Sequence, residues 1–88
     1  MPTLHLIIKG KVQGVFYRAS AKKIAHELLI TGWVRNMDNN DVEALVTGTA
    51  IQLRIFVDWC RRGPAKAVVN ELIETEQEEI LFNIFTIR

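Results

Sequence analysis

Hydrophobic residues recur with two different spacings along the first third of the chain. Leu4, Leu6 and Ile8 occupy every second position, which is the period of a strand with one buried face. Further along, four apolar residues follow the three-to-four-residue spacing of an amphipathic helix: Ala21, Ile24, Ala25 and Leu28. The pattern therefore predicts a strand over Leu4–Lys9, a loop over Gly10–Tyr17 and a helix over Arg18–Ile30.

Four consecutive turn-forming residues, Asp38 to Asp41, separate two more strand patterns. Asn and Asp tolerate positive φ and bond to their own backbone, so they favour tight turns. Trp33–Met37 and Val42–Thr47 flank this segment, and the second of them alternates apolar and polar positions. These two segments are predicted to form a β-hairpin.

Thr49 and Gln52 have the spacing of a capping box, which predicts that a second helix begins there. Gly63 and Pro64 follow in the order typical of a helix end. The apolar stripe of this helix is Leu53, Phe56, Val57 and Cys60. Three apolar residues lie outside it, and two interpretations remain open for them, a self-association surface or packing under the C-terminal segment: Ile51, Ile55 and Trp59.

The last two predicted strands are Ala67–Ile73 and Leu81–Ile87, with Phe82, Ile84 and Phe85 as core residues. The acidic segment Glu74–Glu79 between them is predicted to be a solvated turn. The element order predicts a single α+β domain over residues 1–88. It is a ferredoxin-like sandwich with an antiparallel sheet and two helices packed on one face.

Charge and cysteine content exclude several classes of protein. The 88 residues include 11 basic and 10 acidic side chains, so the net charge of +1 gives no general affinity for nucleic acid or anionic lipid. The single cysteine excludes an internal disulfide, and no His or carboxylate cluster has metal-ligand spacing. The pattern of a signal peptide is not visible at the N-terminus, and no apolar run approaches membrane-spanning length. We therefore expect a cytoplasmic protein that needs no metal or cofactor and contacts neither nucleic acid nor membrane.

The residues best suited to bind an anion lie in the loop Gly10–Arg18, between the first predicted strand and the first predicted helix. The first turn of a helix presents unpaired N–H groups to an anion, Gly14 can adopt positive φ, and Arg18 adds a two-pronged cation. The glycine spacing matches neither a nucleotide P-loop nor a dinucleotide fingerprint. By this reasoning alone, an anion site and a simple connection both remain open.

Two ordered motifs resemble the signatures of the acylphosphatase family. The first comprises Gly10, Val12, Gln13, Gly14, Val15 and Arg18, and the second is Gly32-Trp33-Val34-Arg35-Asn36. Further matches run to the C-terminus at Gly63-Pro64, Ala67, Val69 and Phe85-Thr86-Ile87-Arg88.

The resemblance implies a metal-independent hydrolase that converts acyl phosphates to a carboxylate and inorganic phosphate. It assigns catalysis to Arg18, which grips the phosphoryl oxygens, and Asn36, which orients the attacking water. Phosphate binding falls to the loop, chiefly through backbone amides: Gln13, Gly14, Val15, Phe16, Tyr17 and Arg18. Inorganic phosphate is then expected as product or inhibitor, and the protein as a monomer.

Three departures from the family pattern carry structural expectations. Tyr17 stands where the family has Phe or Met, so its hydroxyl needs a partner or solvent. Leu29 replaces a glycine that ends the first helix, which predicts either a longer helix or strain. Asn40 replaces a turn glycine and is compatible with positive φ.

A second class of function stays open at this stage, a non-catalytic phosphate- or metabolite-binding module on the same fold. RNA-binding sheets share the topology, but they stack bases on strand aromatics, and the first and third predicted strands have none.

Overall fold

A computed structural model describes residues 1–88. The elements are β1 Thr3–Lys11, α1 Tyr17–Glu27, β2 Thr31–Asn36, β3 Val42–Thr47, α2 Ala50–Arg62, β4 Val68–Gln77 and β5 Phe85–Ile87. The strands form one sheet of order β4-β1-β3-β2-β5, and both helices pack on one of its faces around a common core. Neither helix is long and apolar enough to cross a membrane. The predicted ferredoxin-like α+β fold is confirmed.

The sheet is mixed rather than wholly antiparallel. β1 pairs antiparallel with β3 and β4, and β2 pairs antiparallel with β3, whereas β5 runs parallel to β2. Because β4 and β5 lie at opposite edges, residues 78–84 cross the end of the sheet between them. The crossing takes up residues expected in the last strand, which is why β5 is three residues long and does not begin at Leu81.

Side-chain hydroxyls hold this crossing segment in place. The Ile80 amide donates to Thr3 Oγ1 at 3.0 Å, and the Thr47 hydroxyl donates to the Ile80 carbonyl at 2.8 Å. Thr3 and Thr47 are both buried, and their hydroxyl oxygens lie 2.7 Å apart. Polar groups buried in this way are stabilising because each finds a partner.

The acidic segment Glu74–Glu79 is not a turn, contrary to the expectation from its charge. β4 continues to Gln77 and pairs with the start of β1, from Thr3 to Leu6. An edge strand with little buried surface needs no apolar alternation, and charged side chains there discourage pairing with other chains. The strand is specified by its neighbour β1 and not by its own pattern.

The buried residues confirm the predicted apolar faces of the two helices. The core residues predicted in the C-terminal strand are confirmed only in part. The residues Leu53, Phe56, Val57 and Cys60 of α2 are all buried, and the capping box at Thr49 is present. In the C-terminal segment only Phe85 is buried, whereas Ile84 is 57% exposed and Phe82 only partly covered. Ile51 and Ile55 of α2 also stay exposed, so the C-terminal segment does not cover them.

Two of the departures from the family pattern fall at positive φ. Asn40 adopts φ 74° in the hairpin, as expected. Leu29 adopts φ 59°, and α1 ends at Glu27 rather than running on to Ile30. The Ile30 amide donates to the Ala25 carbonyl at 2.8 Å, which is the bond of a helix end that turns on a left-handed residue. Leu29 therefore carries backbone strain that a glycine would avoid.

Candidate active site

A cleft of about 300 Å³ opens between the β1–α1 loop, the first turn of α1 and the end of β2. Its lining residues are Val12, Gly14, Phe16, Tyr17, Arg18, Ala19, Asn36 and Ile87. The fold thus brings residues from both sequence motifs together around one space.

The loop that borders the cleft turns on two left-handed residues. Gly14 has φ 73° and Phe16 has φ 64°, and Phe16 immediately precedes α1. The backbone amides of Gly14, Val15 and Phe16 donate to no acceptor within the protein, and no side chain caps the helix start. Free N–H groups at the positive end of a helix dipole give this loop the character of an anion cradle.

Two predicted loop residues point away from the cleft. The Gln13 side-chain amide donates to the backbone carbonyls of Met37 and Asp41, at 2.9 Å each. The Val15 side chain is buried in the core. Gln13 thereby ties the loop to the β2–β3 hairpin, close to the end of β2 where Asn36 lies.

Asn36 is the last residue of β2, and its side-chain oxygen is buried without a hydrogen-bond partner. It is not a turn residue, because the turn follows at Asp38–Asn40. An unpaired buried polar atom costs about 1–3 kcal/mol, so such atoms are few, and each is explained by an ordered water, a ligand or a functional role. Asn36 lies on the same face of the sheet as Val34, the face that the helices cover.

Arg18 is the only charged residue that lines the cleft. None of the ion pairs in the protein includes it. By contrast, Lys9 pairs with Asp41 at 2.7 Å, and Arg35 pairs with Glu43. An arginine at a helix start is usually a surface ion-pair partner, whereas Arg18 leaves its guanidinium free for an incoming anion.

Tyr17 fixes the first turn of α1 to α2. Its hydroxyl donates to the Cys60 carbonyl at 2.7 Å, and its ring packs 5.4 Å from the Trp59 ring. The hydroxyl has the partner that the sequence required, and burial raises the pKa of Tyr17. Burial also raises the pKa of the Cys60 thiol to about 12, so this cysteine is no thiolate nucleophile at neutral pH.

Three lining residues were not among the predicted site residues, although Val12 belongs to the predicted loop: Val12, Ala19 and Ile87. Ala19 follows Arg18 in the first turn of α1. The helix predicted from Arg18 therefore already placed Ala19 next to the loop. Ile87 reaches the cleft only because β5 pairs with β2, and no local pattern in the sequence indicates that pairing.

Gly14 offers a test of the loop conformation without a steric complication. A Cβ atom added to Gly14 meets no atom within 4 Å, so only φ 73° opposes a side chain there. We expect Gly14→Val to weaken phosphate binding by roughly tenfold, because left-handed backbone costs about 1–2 kcal/mol for such a residue. The measurement is a phosphate titration alongside thermal unfolding.

Gly14→Asn is the matched variant, because Asn tolerates positive φ and should keep most of the affinity. A folded Gly14→Val protein that binds phosphate as tightly as the wild type would contradict the hypothesis that the amides of this loop bind the anion.

The fold and this cleft define a class of small α+β proteins in which unpaired loop amides and an arginine meet at the start of the first helix. The acylphosphatase family model matches residues 4–87. A curated acylphosphatase from Bordetella parapertussis is 54% identical over 72 residues, which cover 82% of this chain and 77% of that protein.

Two solved structures agree with this match. An acylphosphatase from Coxiella burnetii superposes with a TM-score of 0.95 at 37% identity, covering 99% of this chain and 92% of that one. One from Bacillus subtilis superposes with a TM-score of 0.96 at 30% identity, covering 100% and 99%. The chain belongs to the acylphosphatase family.

Proposed function

We propose that this acylphosphatase hydrolyses the carboxyl–phosphate anhydride bond of acyl phosphates in the cleft, releasing a carboxylate and inorganic phosphate. Family membership supports the reaction. The observation that carries the location is the buried, unpaired oxygen of Asn36 in the same cleft as the unpaired Arg18. The relatives described above are all named acylphosphatases, which gives the non-catalytic binding module no support.

The phosphoryl group is proposed to bind in the β1–α1 loop. Its oxygens accept hydrogen bonds from the backbone amides of Gln13–Tyr17 and from the guanidinium of Arg18. These donors are already oriented in the free protein, since positive φ at Gly14 and Phe16 sets the loop. Donors that are preorganised in this way stabilise charge in a phosphoryl-transfer transition state without reorganisation at the moment of reaction.

Asn36 is proposed to hold the attacking water in line with the scissile bond. Its unpaired oxygen is a free acceptor for a water O–H. The carboxylate of an acyl phosphate is a good leaving group, so the reaction needs no strong general acid. An amide is a weak base, and the water's proton passes to a phosphoryl oxygen of the substrate. Positioning and charge stabilisation then supply the catalysis, and no metal is required.

We expect the purified protein to hydrolyse a generic acyl phosphate at a rate that neither a chelator nor thiol alkylation changes. No three His, Cys, Asp or Glu side chains cluster as they would to hold a metal, and Cys60 is buried. Inorganic phosphate is expected to inhibit competitively, because it occupies the same cradle. The measurement is steady-state kinetics with and without each reagent. A strong loss of activity in chelator would overturn the mechanism, and phosphate binding without turnover would favour the non-catalytic module.

The protein is further proposed to act as a cytoplasmic monomer of one domain. A lone free cysteine fits a reducing compartment. The exposed apolar side chains adjoin one another only in small groups, such as Ile51 with Ile55 and Leu29 with Ile84, and small exposed apolar patches are ordinary on monomers. Sedimentation at micromolar concentration measures the oligomeric state, and a dimer would contradict this proposal.

A further inference from the structure

The end of α2 leaves one backbone carbonyl without a partner from its own helix. In an α-helix the carbonyl of each residue accepts a hydrogen bond from the amide four residues further on. For Cys60 that residue is Pro64, which has no N–H to donate. The Gly63 amide donates to the Trp59 carbonyl instead, at 2.7 Å. The Cys60 carbonyl therefore needs a donor from outside the helix.

Tyr17 supplies this donor from the start of α1. Its hydroxyl donates to the Cys60 carbonyl at 2.7 Å, and its side chain is buried. Gly63, which ends α2, makes room for the Tyr17 ring, because a Cβ atom there would lie 2.9 Å from the ring carbon Cε2. The Trp59 ring packs against the Tyr17 ring at 5.4 Å between centroids. The end of α2 is thus built around the Tyr17 side chain.

The backbone of Tyr17 belongs to the anion site at the same time. Tyr17 is the first residue of α1, and Arg18 follows it directly. No side chain caps this helix start, so its first turn depends on tertiary contacts for its position. At its other end the loop is tied to the β2–β3 hairpin by the side chain of Gln13. The unpaired amides of residues 14–16 lie between these two anchors.

The Tyr17 side chain acts only through the backbone that it holds. Its hydroxyl proton is committed to the Cys60 carbonyl, on the side of α2. Burial raises the pKa of Tyr17, so the hydroxyl stays protonated and remains a donor at neutral pH. It serves the reaction as neither acid nor base, and Tyr17 is a positioning residue.

We propose that the Tyr17 hydroxyl positions the active site, by fixing the first turn of α1 against the end of α2 and so holding Arg18 and the loop amides where the phosphoryl group binds. This inference rests on the phosphate binding proposed above. Donors that are fixed before the substrate arrives stabilise the transition state most, because nothing has to reorganise as charge develops. A looser first turn should therefore slow the reaction more than it weakens phosphate binding.

Tyr17→Phe tests this role, because it removes the hydroxyl and keeps the ring. We expect kcat/KM for acetyl phosphate to fall on the order of tenfold, since a lost oxyanion donor costs about 10²–10³ in rate and a loosened one costs less. Phosphate affinity should fall only about threefold, because ground-state binding is less sensitive to alignment. The unfolding temperature should fall by roughly 5–10 °C, because the Cys60 carbonyl is left buried without a donor. Kinetics and phosphate titration are measured well below the unfolding temperature of the variant.

Thr47→Val is the matched control for lost stability. Thr47 is also buried, and its hydroxyl also donates to a backbone carbonyl, that of Ile80, at 2.8 Å. Thr47 ends β3, whereas Asn36 at the cleft pairs with Val42 at the start of that strand. The control should lower the unfolding temperature to a similar extent and leave kcat/KM and phosphate affinity unchanged.

Hydrogen exchange of the Gly63 amide tests the same link from the other side. Coupling between two sites is reciprocal, so an anion bound in the loop should stabilise the last turn of α2. In the wild type we expect phosphate to slow exchange at Gly63 more than at the Ile80 amide, which lies in the distant crossing segment. In Tyr17→Phe the two amides should respond alike.

Wild-type kinetics and phosphate affinity in folded Tyr17→Phe would overturn the positioning role and leave the proposed hydrolysis standing. The same holds if Thr47→Val loses as much activity as Tyr17→Phe, since the loss would then follow stability alone. It also holds if phosphate protects the Gly63 amide equally well without the hydroxyl. A wild type that neither binds phosphate nor hydrolyses acetyl phosphate would instead remove the proposed function, and the positioning role with it.

Discussion

Replacement of Asn36 by Ala is expected to slow hydrolysis on the order of a thousandfold while changing the affinity for inorganic phosphate little. The proposed role of Asn36 is to hold the attacking water, which matters for the reaction and not for binding of the phosphoryl group. If this positioning supplies about 4 kcal/mol, its loss lowers kcat on the order of a thousandfold. Steady-state kinetics with a direct phosphate titration separates the two effects.

The same variant should fold well, because the Asn36 side-chain oxygen makes no hydrogen bond that alanine would lose. Thermal unfolding therefore distinguishes lost chemistry from lost structure. Asn39→Ala is the matched control. The Asn39 side chain accepts a bond from the Asp41 amide within the hairpin turn, outside the cleft. Turnover by Asn36→Ala at the wild-type rate would show that the water is positioned by another group.

Replacement of Arg18 by Ala is expected to reduce both phosphate affinity and turnover, with a fall in kcat/KM on the order of 10⁴. Arg18 is proposed to contact the phosphoryl oxygens in the bound substrate and in the transition state, so its loss affects both. Arginines that stabilise phosphoryl-transfer transition states contribute about 10³–10⁵ in rate. The measurements are kinetics on an acyl phosphate and phosphate titration.

Arg18→Lys tests whether geometry or charge is responsible. Lysine keeps the charge but lacks the two-pronged guanidinium, so we expect it to restore little activity. Arg61→Ala removes the same charge from the last turn of α2, where the nearest carboxylate, on Glu74, is 3.9 Å away. That control should behave like the wild type. Normal phosphate binding by Arg18→Ala would mean that the anion site lies elsewhere.

Elements whose signals are local could be predicted from the sequence. The capping box at Thr49, the buried stripe of α2 and the hairpin around Asp38–Asp41 all appear where the pattern places them. In each case neighbouring residues along the chain decide the structure, through a cap, a helical face or a tight turn. The loop at Gly14 and the motif ending in Asn36 were also visible, because their spacing is local.

Elements that depend on a distant partner were predicted less well. The acidic end of β4 is a strand because β1 pairs with it, and β5 is short because the chain must first cross the sheet. The end of α1 at a left-handed Leu29 was left open between strain and a longer helix. Propensity alone favours other outcomes at these positions, and tertiary contacts override it.

The sequence by itself determined the class of fold, the loop with its left-handed glycine and the two side chains proposed for catalysis. Only the tertiary structure decided that Asn36 and Arg18 share one cleft, because their elements meet through the sheet and not through the chain. It also decided that the Asn36 oxygen is buried without a partner in the protein and that Ile87 of β5 lines the same cleft as Phe16 of the loop. Burial and hydrogen-bond satisfaction are set by what surrounds a residue in space, so spacing along the chain does not reveal them.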